Sequence, residues 1–113
     1  YDEHFKNSSL YTRKQVSKRY LSANHLYVLE VNFHKLKISR ERFINLLMKK
    51  NIRCQVHYIP VPMHPFYKNK GYNLEKIPNS INFYNHAISI PLYYDLTNKE
   101  QDYIMSCFKE FEK

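Results

Sequence analysis

Glycine is almost absent from this sequence of 113 residues. Gly71 is the only one, whereas average usage of ~7% would give about eight. Phosphate-binding loops of the types GxGxxG and GxxxxGK[ST] require several glycines, because only a residue without a Cβ lets the backbone approach the phosphate. The nucleophile elbow GxSxG also requires more than one. A single glycine therefore excludes all of these motifs from this chain.

Cysteine and long apolar runs are also scarce. Cys54 and Cys107 are far apart and form no CxxC pair, which is typical of a reduced, cytoplasmic protein. No apolar run approaches the ~20 residues that cross a bilayer, and no signal-peptide pattern opens the chain. We therefore expect a cytoplasmic protein without membrane association. The first residue is Tyr1 rather than methionine, and we expect a piece of a longer protein.

The net charge is +8. Lysine, asparagine, isoleucine and tyrosine are abundant together, a bias typical of AT-rich genomes, and this bias explains the charge better than nucleic-acid binding does. Only residues 12–20 concentrate the cations, at Arg13, Lys14, Lys18 and Arg19. A free-standing basic module that binds RNA or a protein partner stays open as the alternative function.

Period-two alternation predicts strands at residues 25–33, 52–59 and 87–93. In the first strand every second residue from Tyr27 to Phe33 is apolar and should face the core. Together with the helices described next, these strands predict an α/β (α+β) domain with a short, mainly antiparallel sheet and helices packed on it.

The second predicted strand places two kinds of side chain on its two faces. Cys54, Val56 and Tyr58 share the apolar face and should meet the core. His57 lies on the opposite face and should point away from the core, directly before the prolines that end the strand.

Capping signals predict the helices. Ser39 caps a helix over residues 39–51, Pro78 opens one over residues 77–87, and Thr97 with Glu100 forms a capping box at the start of the last helix. Four residues of the first helix form one apolar stripe that should face the core: Phe43, Ile44, Leu47 and Met48.

The segment QVHYIPVPMHPFY, residues 55–67, combines aromatic rings and imidazoles with three prolines. The prolines should forbid a helix and stiffen the loop. The residue types favour equally a wall of a ligand site and a turn whose aromatics cover the edge of the core. Cys54, His57 and His64 do not have the spacing of a structural zinc site, so we expect no metal.

Four stretches in register resemble the C-terminal region of the DegT/DnrJ/EryC1/StrS aminotransferases. They are HLYVLEV, ISRERFINLLMKKNI, VHYIPVPMHPFYKNKGY and IPNSINFYNHAISIPLYYDLTNKEQDYI. The resemblance covers essentially the whole chain. It is closest to the branch that acts on UDP-linked 4-keto-6-deoxy-N-acetylhexosamines in pseudaminic acid synthesis, with Pro62 as a departure from that branch's pattern.

The resemblance implies a PLP-dependent enzyme of fold type I that transfers an amino group, from a donor such as glutamate, to a nucleotide-linked keto-sugar. Residues 1–20 would be the end of the interdomain helix with a connecting loop, and residues 21–113 the small C-terminal domain. The lysine, acid and phosphate loop that hold PLP would lie in the N-terminal domain, so the chain alone should have no catalytic residue and no activity. The complete enzyme would be a homodimer that binds no nucleic acid.

The resemblance also implies a role for the proline-containing segment, which would line the substrate cleft. His57 is the first choice for a substrate contact, and Tyr58, His64 and Tyr67 are the second choices. His25 and Tyr27 would instead fix their strand.

Overall fold

The computed structural model describes residues 1–13, 17 and 19–113. Within these residues no helix has the length and apolar character that crossing a membrane requires. In chain order the helices and strands are α1 (Asp2–Phe5), β1 (Tyr11–Thr12), β2 (Tyr27–Val31), α2 (Phe33–Leu36), α3 (Arg40–Lys49), α4 (Pro65–Lys68), α5 (Pro78–His86), β3 (Ala87–Ile90) and α6 (Asn98–Lys109), with single 3-10 turns at Val61–Met63, Leu74–Lys76 and Glu110–Glu112.

The sheet has the order β1-β2-β3, and both strand pairs are antiparallel. Tyr11 lies opposite Val31, and Leu29 lies opposite Ile88. In β2 the buried residues alternate with half-buried ones, from Tyr27 to Val31, and all of β3 is buried. The predicted α+β architecture and the predicted core face of β2 are confirmed.

Aromatic rings form the centre of the core. The Phe108 ring lies edge-on to three other rings, with centroid distances of 5.2 Å to Tyr11 and 5.6 Å to both Phe5 and Phe43. The buried Tyr11 hydroxyl donates a hydrogen bond to the Phe108 carbonyl at 3.1 Å, which satisfies its polar group inside the core. Residues near the N-terminus and the last helix therefore belong to one core.

Local capping chemistry sets the helix ends, as predicted. The Ser39 side chain accepts a hydrogen bond from the Arg42 N–H, and Thr97 and Glu100 form the reciprocal capping box of α6. Asn51 ends the segment after α3 in the left-handed conformation, with φ of 61°. Each of these signals acts within four residues of chain, so the sequence alone suffices to read them.

Two predicted strands are longer than the observed ones. The strand predicted over residues 25–33 stops at Val31, because the Asn32 side chain accepts the Lys35 N–H and starts α2. Phe33 is therefore a helix residue rather than a strand residue. The strand predicted over residues 87–93 ends at Ile90, directly before a proline that cannot donate to a ladder.

Residues 1–20, expected to be a helix end with a connecting loop, also contribute a strand and core residues. Leu10 and Tyr11 are buried, and β1 pairs with β2. Of the basic cluster at residues 12–20, Lys14 and Lys18 lie outside the described residues.

A polar cluster fastens α1 to the sheet. The Tyr27 hydroxyl donates a hydrogen bond of 2.6 Å to the Asp2 carboxylate. The Arg13 guanidinium contacts the same carboxylate and lies 4.8 Å above the Tyr27 ring. The Tyr27 hydrogen bond, followed by the Arg13 contact, lowers the pKa of Asp2, while partial burial opposes this effect.

The apolar stripe of α3 gives the first prediction. Phe43 and Leu47 are fully buried, but Met48 is 55% exposed, so its predicted core position is wrong. Phe43→Ala should lower the free energy of unfolding by about 3–5 kcal/mol, because it removes a ring from the core centre. Met48→Ala, the matched control, should lower it by less than about 1 kcal/mol. Urea unfolding of both variants measures the difference, and equal losses would contradict this description of the core.

The second prediction concerns acid stability. The pKa of Asp2 is lower in the folded chain than in the unfolded chain. Its stabilising effect is therefore complete above the unfolded pKa of about 3.9 and disappears as the pH falls through the folded pKa. Asp2→Asn should lower the melting temperature slightly at pH 7, and the difference from the native chain should shrink progressively as the pH falls below about 4.

The effect should be small because the Asp2 side chain is largely exposed. Tyr27→Phe removes the largest cause of the pKa shift and should reduce the same pH dependence. A melting-temperature difference between Asp2→Asn and the native chain that does not change with pH would refute the assignment.

Candidate functional site

Residues 52–59 are attached to the sheet at one point and do not form the predicted strand. Gln55 and Ser89 form an isolated antiparallel bridge, with N–H to O distances of 2.9 Å and 2.8 Å in the two directions. If pairing continued in this register, residue 57 would lie opposite Ala87, the first residue of β3. Residue 58 would lie opposite the last residue of α5. Beyond this single bridge, the strand predicted over residues 52–59 is wrong.

Cys54, one of the three residues predicted on the core face, does pack against the core, but the rest of the predicted faces is wrong. Val56 and Tyr58, expected in the core, are 44% and 97% exposed. His57, expected to point away from the core, is half-buried. Its Nε2 lies 2.9 Å from the Ser89 Oγ, and its ring centroid lies 5.8 Å from that of Phe83. A polar partner on β3 therefore holds the imidazole inward and leaves Tyr58 in solvent.

The prolines begin short helical turns rather than preventing them. Pro62 lies in the first turn of the 3-10 helix Val61–Met63, and Pro65 is the first residue of α4. The prediction that prolines forbid a helix here is wrong, because the first turn of a helix does not use the backbone N–H that proline lacks.

A cleft of about 470 Å³ separates this segment from α5. One side is formed by residues 57, 58 and 60–62, and the other by residues 77–84. Aromatic and proline rings form most of its surface, and imidazole, amide and hydroxyl groups supply polar atoms. Its lining residues are His57, Tyr58, Pro60, Val61, Pro62, Ile77, Asn79, Ser80, Phe83 and Tyr84.

The lining of this cleft suits a flat or ring-shaped ligand that carries hydroxyl groups. Aromatic faces can stack on such a ring, and His57, Asn79 and Ser80 can donate or accept hydrogen bonds. Among the described residues, no lysine or carboxylate lines this cleft. Those are the groups that form the covalent lysine bond and the pyridine-nitrogen ion pair in PLP enzymes.

Arg40 fastens the outer wall of the cleft to α3. Its guanidinium contacts the Tyr84 carbonyl oxygen and lies 4.7 Å above the Tyr84 ring. Because Arg40 opens α3, α5 is joined to a helix that carries core residues. The wall is thus held by a charged contact as well as by its own helical hydrogen bonds.

The structure brings together two of the four predicted site residues. His57 and Tyr58 line the cleft, whereas His64 and Tyr67 are not among its lining residues. The Tyr67 ring lies edge-on to the rings of Phe66 and Tyr72, at 5.2 Å and 5.6 Å. His64 is exposed, and its carbonyl accepts the Tyr67 and Lys68 N–H groups at the start of α4.

Sequence reasoning missed Ser89, Phe83 and Tyr84. The only available signal was a serine within the apolar run AISIP, since a hydroxyl in a buried strand needs a polar partner. Phe83 and Tyr84 gave no such signal, because aromatic residues in a helix are typical of ordinary packing.

A larger cavity of about 620 Å³ lies beside α6. Apolar side chains form most of it, with His25, Arg53 and Glu100 among its polar residues. None of the four predicted site residues lines this cavity, so the cleft beside α5 is the candidate site.

Cys54 is not a reactive neighbour of the site. Burial raises the pKa of the Cys54 thiol to about 12, so the thiol stays protonated near neutral pH and is a poor nucleophile. Among the described residues, no group of three or more histidines, cysteines or carboxylates could hold a metal ion.

Comparison with known proteins places this geometry in context. The chain is 28% identical over 113 residues to the UDP-4-amino-4,6-dideoxy-N-acetyl-beta-L-altrosamine transaminase of Helicobacter pylori, covering 99% of this chain and 30% of that protein. It resembles the structure of Helicobacter pylori PseC, an aminotransferase involved in pseudaminic acid biosynthesis, with a TM-score of 0.83 and 26% identity over 98% of this chain and 30% of that one. It also resembles the PLP form of the putative sugar aminotransferase Spr1654 from Streptococcus pneumoniae, with a TM-score of 0.80 and 31% identity. This match covers 97% of this chain and 28% of that one.

The chain spans between 23% and 30% of the length of five curated relatives that it matches. The model of the DegT/DnrJ/EryC1/StrS aminotransferase family matches residues 1–109. That match covers nearly the whole chain, including the bridge, the cleft and α5. The chain therefore belongs to the DegT/DnrJ/EryC1/StrS aminotransferase family.

Proposed function

We propose that this chain is the C-terminal part of a PLP-dependent aminotransferase that transfers an amino group to a nucleotide-linked keto-sugar. The amino donor would be a small amino acid such as glutamate. One observation carries the proposal: His57 is held in a cleft of aromatic and proline rings, with Asn79 and Ser80 on the facing wall. The transaminase of Helicobacter pylori, whose name carries a UDP-linked amino sugar, supports this choice of substrate class.

The cleft would hold the sugar part of the substrate. A pyranose offers hydroxyl and carbonyl groups around an apolar ring, and the cleft offers hydrogen-bonding groups around aromatic faces. His57 would hydrogen-bond a sugar oxygen, and the exposed Tyr58 ring would cover the open side. Pre-ordering of the walls by prolines lowers the entropic cost of binding.

His64 and Tyr67 would contact the nucleotide part, beyond the cleft. Lys68 and Lys70 follow them in the chain, and residues 55–73 carry no carboxylate. This segment is therefore positive and would favour a phosphate group. Lys70 lies with its Nζ 4.5 Å above the Phe66 ring, so a cation is already placed beside the aromatic residues of α4.

The cofactor would be bound by the part of the enzyme that lies outside this chain. The described lining residues of the cleft, which include no lysine and no carboxylate, support this division. We also propose that residues 1–20 are the end of the interdomain helix with its connecting loop, in which β1 joins the sheet, and that residues 21–113 are the small domain. The short α1 at Asp2–Phe5 supports the first part of this division. The complete enzyme would be a cytoplasmic homodimer that acts without a membrane or nucleic acid.

Replacement of His57 tests the proposal. In the full-length enzyme, His57→Ala should lower kcat/KM for the nucleotide-linked keto-sugar about tenfold or more, because it removes one hydrogen bond to a polar group. The half-reaction with the amino donor should change less, since that step does not involve the sugar. Stopped-flow measurement of each half-reaction separates the two effects.

His34→Ala is the matched control, because His34 is exposed and does not line the cleft. It should leave both half-reactions at the native level. Native sugar kinetics in a well-folded His57→Ala variant would refute the proposed contact and leave the cleft as a packing feature.

A further inference from the structure

Ser89 is a polar residue in a position that otherwise holds apolar side chains. It is 5% exposed, and its neighbours along β3, Ile88 and Ile90, are buried in the core. A hydroxyl buried without a partner is unfavourable. The Ser89 Oγ has its partner in the His57 Nε2, at 2.9 Å. The polar side chain of this strand is thus directed to the residue proposed to contact the substrate.

The same residue also holds the backbone that carries His57. The Ser89 N–H donates to the Gln55 carbonyl, and the Ser89 carbonyl accepts the Gln55 N–H. Ser89 therefore makes three hydrogen bonds to residues 55 and 57, two through its backbone and one through its side chain. The backbone bonds fix the position of the segment, and the side-chain bond fixes the imidazole ring.

The contacts leave one edge of the imidazole available. Nε2 is used by Ser89, and the Phe83 ring packs against the imidazole at 5.8 Å and 46°. Among the described residues, Nδ1 of His57 has no hydrogen-bond partner. Because the ring is planar, fixing Nε2 determines where Nδ1 points.

A serine hydroxyl suits this task in either charge state of the imidazole. It can donate a proton to a neutral Nε2, or it can accept the N–H of a protonated ring. The ring can therefore keep its position whether or not it carries a proton. A carboxylate partner could only accept, and an amide N–H could only donate.

We propose that Ser89 is a positioning residue for substrate binding, which orients His57 so that its Nδ1 edge meets the nucleotide-linked keto-sugar. This inference rests on the proposed function of His57. Ser89 itself does not line the cleft beside α5, so it acts through the imidazole rather than by touching the ligand there.

A double-mutant cycle in the full-length enzyme tests this role. The native enzyme, Ser89→Ala, His57→Ala and the double variant are compared with UDP-4-keto-6-deoxy-N-acetylhexosamine as the substrate. Ser89→Ala should lower kcat/KM about three- to tenfold, because the ring loses its fixed orientation. In the His57→Ala background the same change should have less than about a twofold effect.

Two further measurements separate positioning from simple packing. The donor half-reaction of Ser89→Ala should stay within about twofold of the native rate, since it does not use the sugar contact. The ¹⁵N resonance of His57 Nε2 should shift in Ser89→Ala. It should not shift in Ser106→Ala, a matched change at an exposed serine of α6.

The outcomes are distinguishable. An equal loss from Ser89→Ala in both backgrounds would overturn the inference, because the serine would then act through packing. If Ser89→Ala has native kinetics while His57→Ala is impaired, the inference about Ser89 is wrong but the proposed function of His57 stands. Native kinetics in His57→Ala would overturn both. If Ser89→Ala does not fold, Ser89→Cys takes its place in the cycle, since the slightly larger thiol leaves no cavity but hydrogen-bonds weakly.

Discussion

The bridge between Gln55 and Ser89 is the constraint on which the candidate site depends. Its two backbone hydrogen bonds are what attach residues 52–59 to the sheet. From this point the chain runs outward past His57 to the prolines, and the cleft opens between that segment and α5. Because β3 follows α5 without a loop, the bridge joins one wall of the cleft to the strand that continues the other wall.

Prolines restrain one wall of the cleft, and a contact from α3 restrains the other. Pro60, Pro62 and Pro65 limit the backbone of one wall. On the other wall, Arg40 contacts Tyr84 and joins α5 to the start of α3. A cleft with fixed walls needs little reordering when a ligand enters. The shape of the cleft therefore depends on contacts within this chain.

The parts of the fold that could be predicted from the sequence are those set by local chemistry. Ser39, Thr97 and Glu100 act on backbone groups within a few residues, so the helices were predicted with ends close to the observed ones. The alternation of core-facing residues from Tyr27 to Val31 could also be predicted from the sequence, because β2 has a partner strand on each side. The overall α+β arrangement followed from these elements and from the resemblance to the family.

The parts that could not be predicted depend on contacts distant in sequence. Alternation alone placed His57 in solvent and Tyr58 in the core, but the partner strand ends at Ala87 and Ser89 draws the imidazole inward. Tyr11 sits in a polar stretch, and its burial arises from partners distant in sequence, among them Val31 in the sheet and Phe108, 97 residues later. In both cases a residue's environment is decided by a partner that the local pattern does not contain.

The contacts of the N-terminal segment are also with residues that are distant in sequence. The Tyr1 hydroxyl donates to the Pro91 carbonyl at 2.9 Å, directly after β3. Asp2 accepts the Tyr27 hydroxyl, and Tyr27 lies opposite Ile90 in the sheet. Both contacts reach the same end of the sheet, next to the strand that holds Ser89. Because the bridge and Ser89 connect β3 to His57, a continuous chain of contacts joins the helix, the sheet and the cleft.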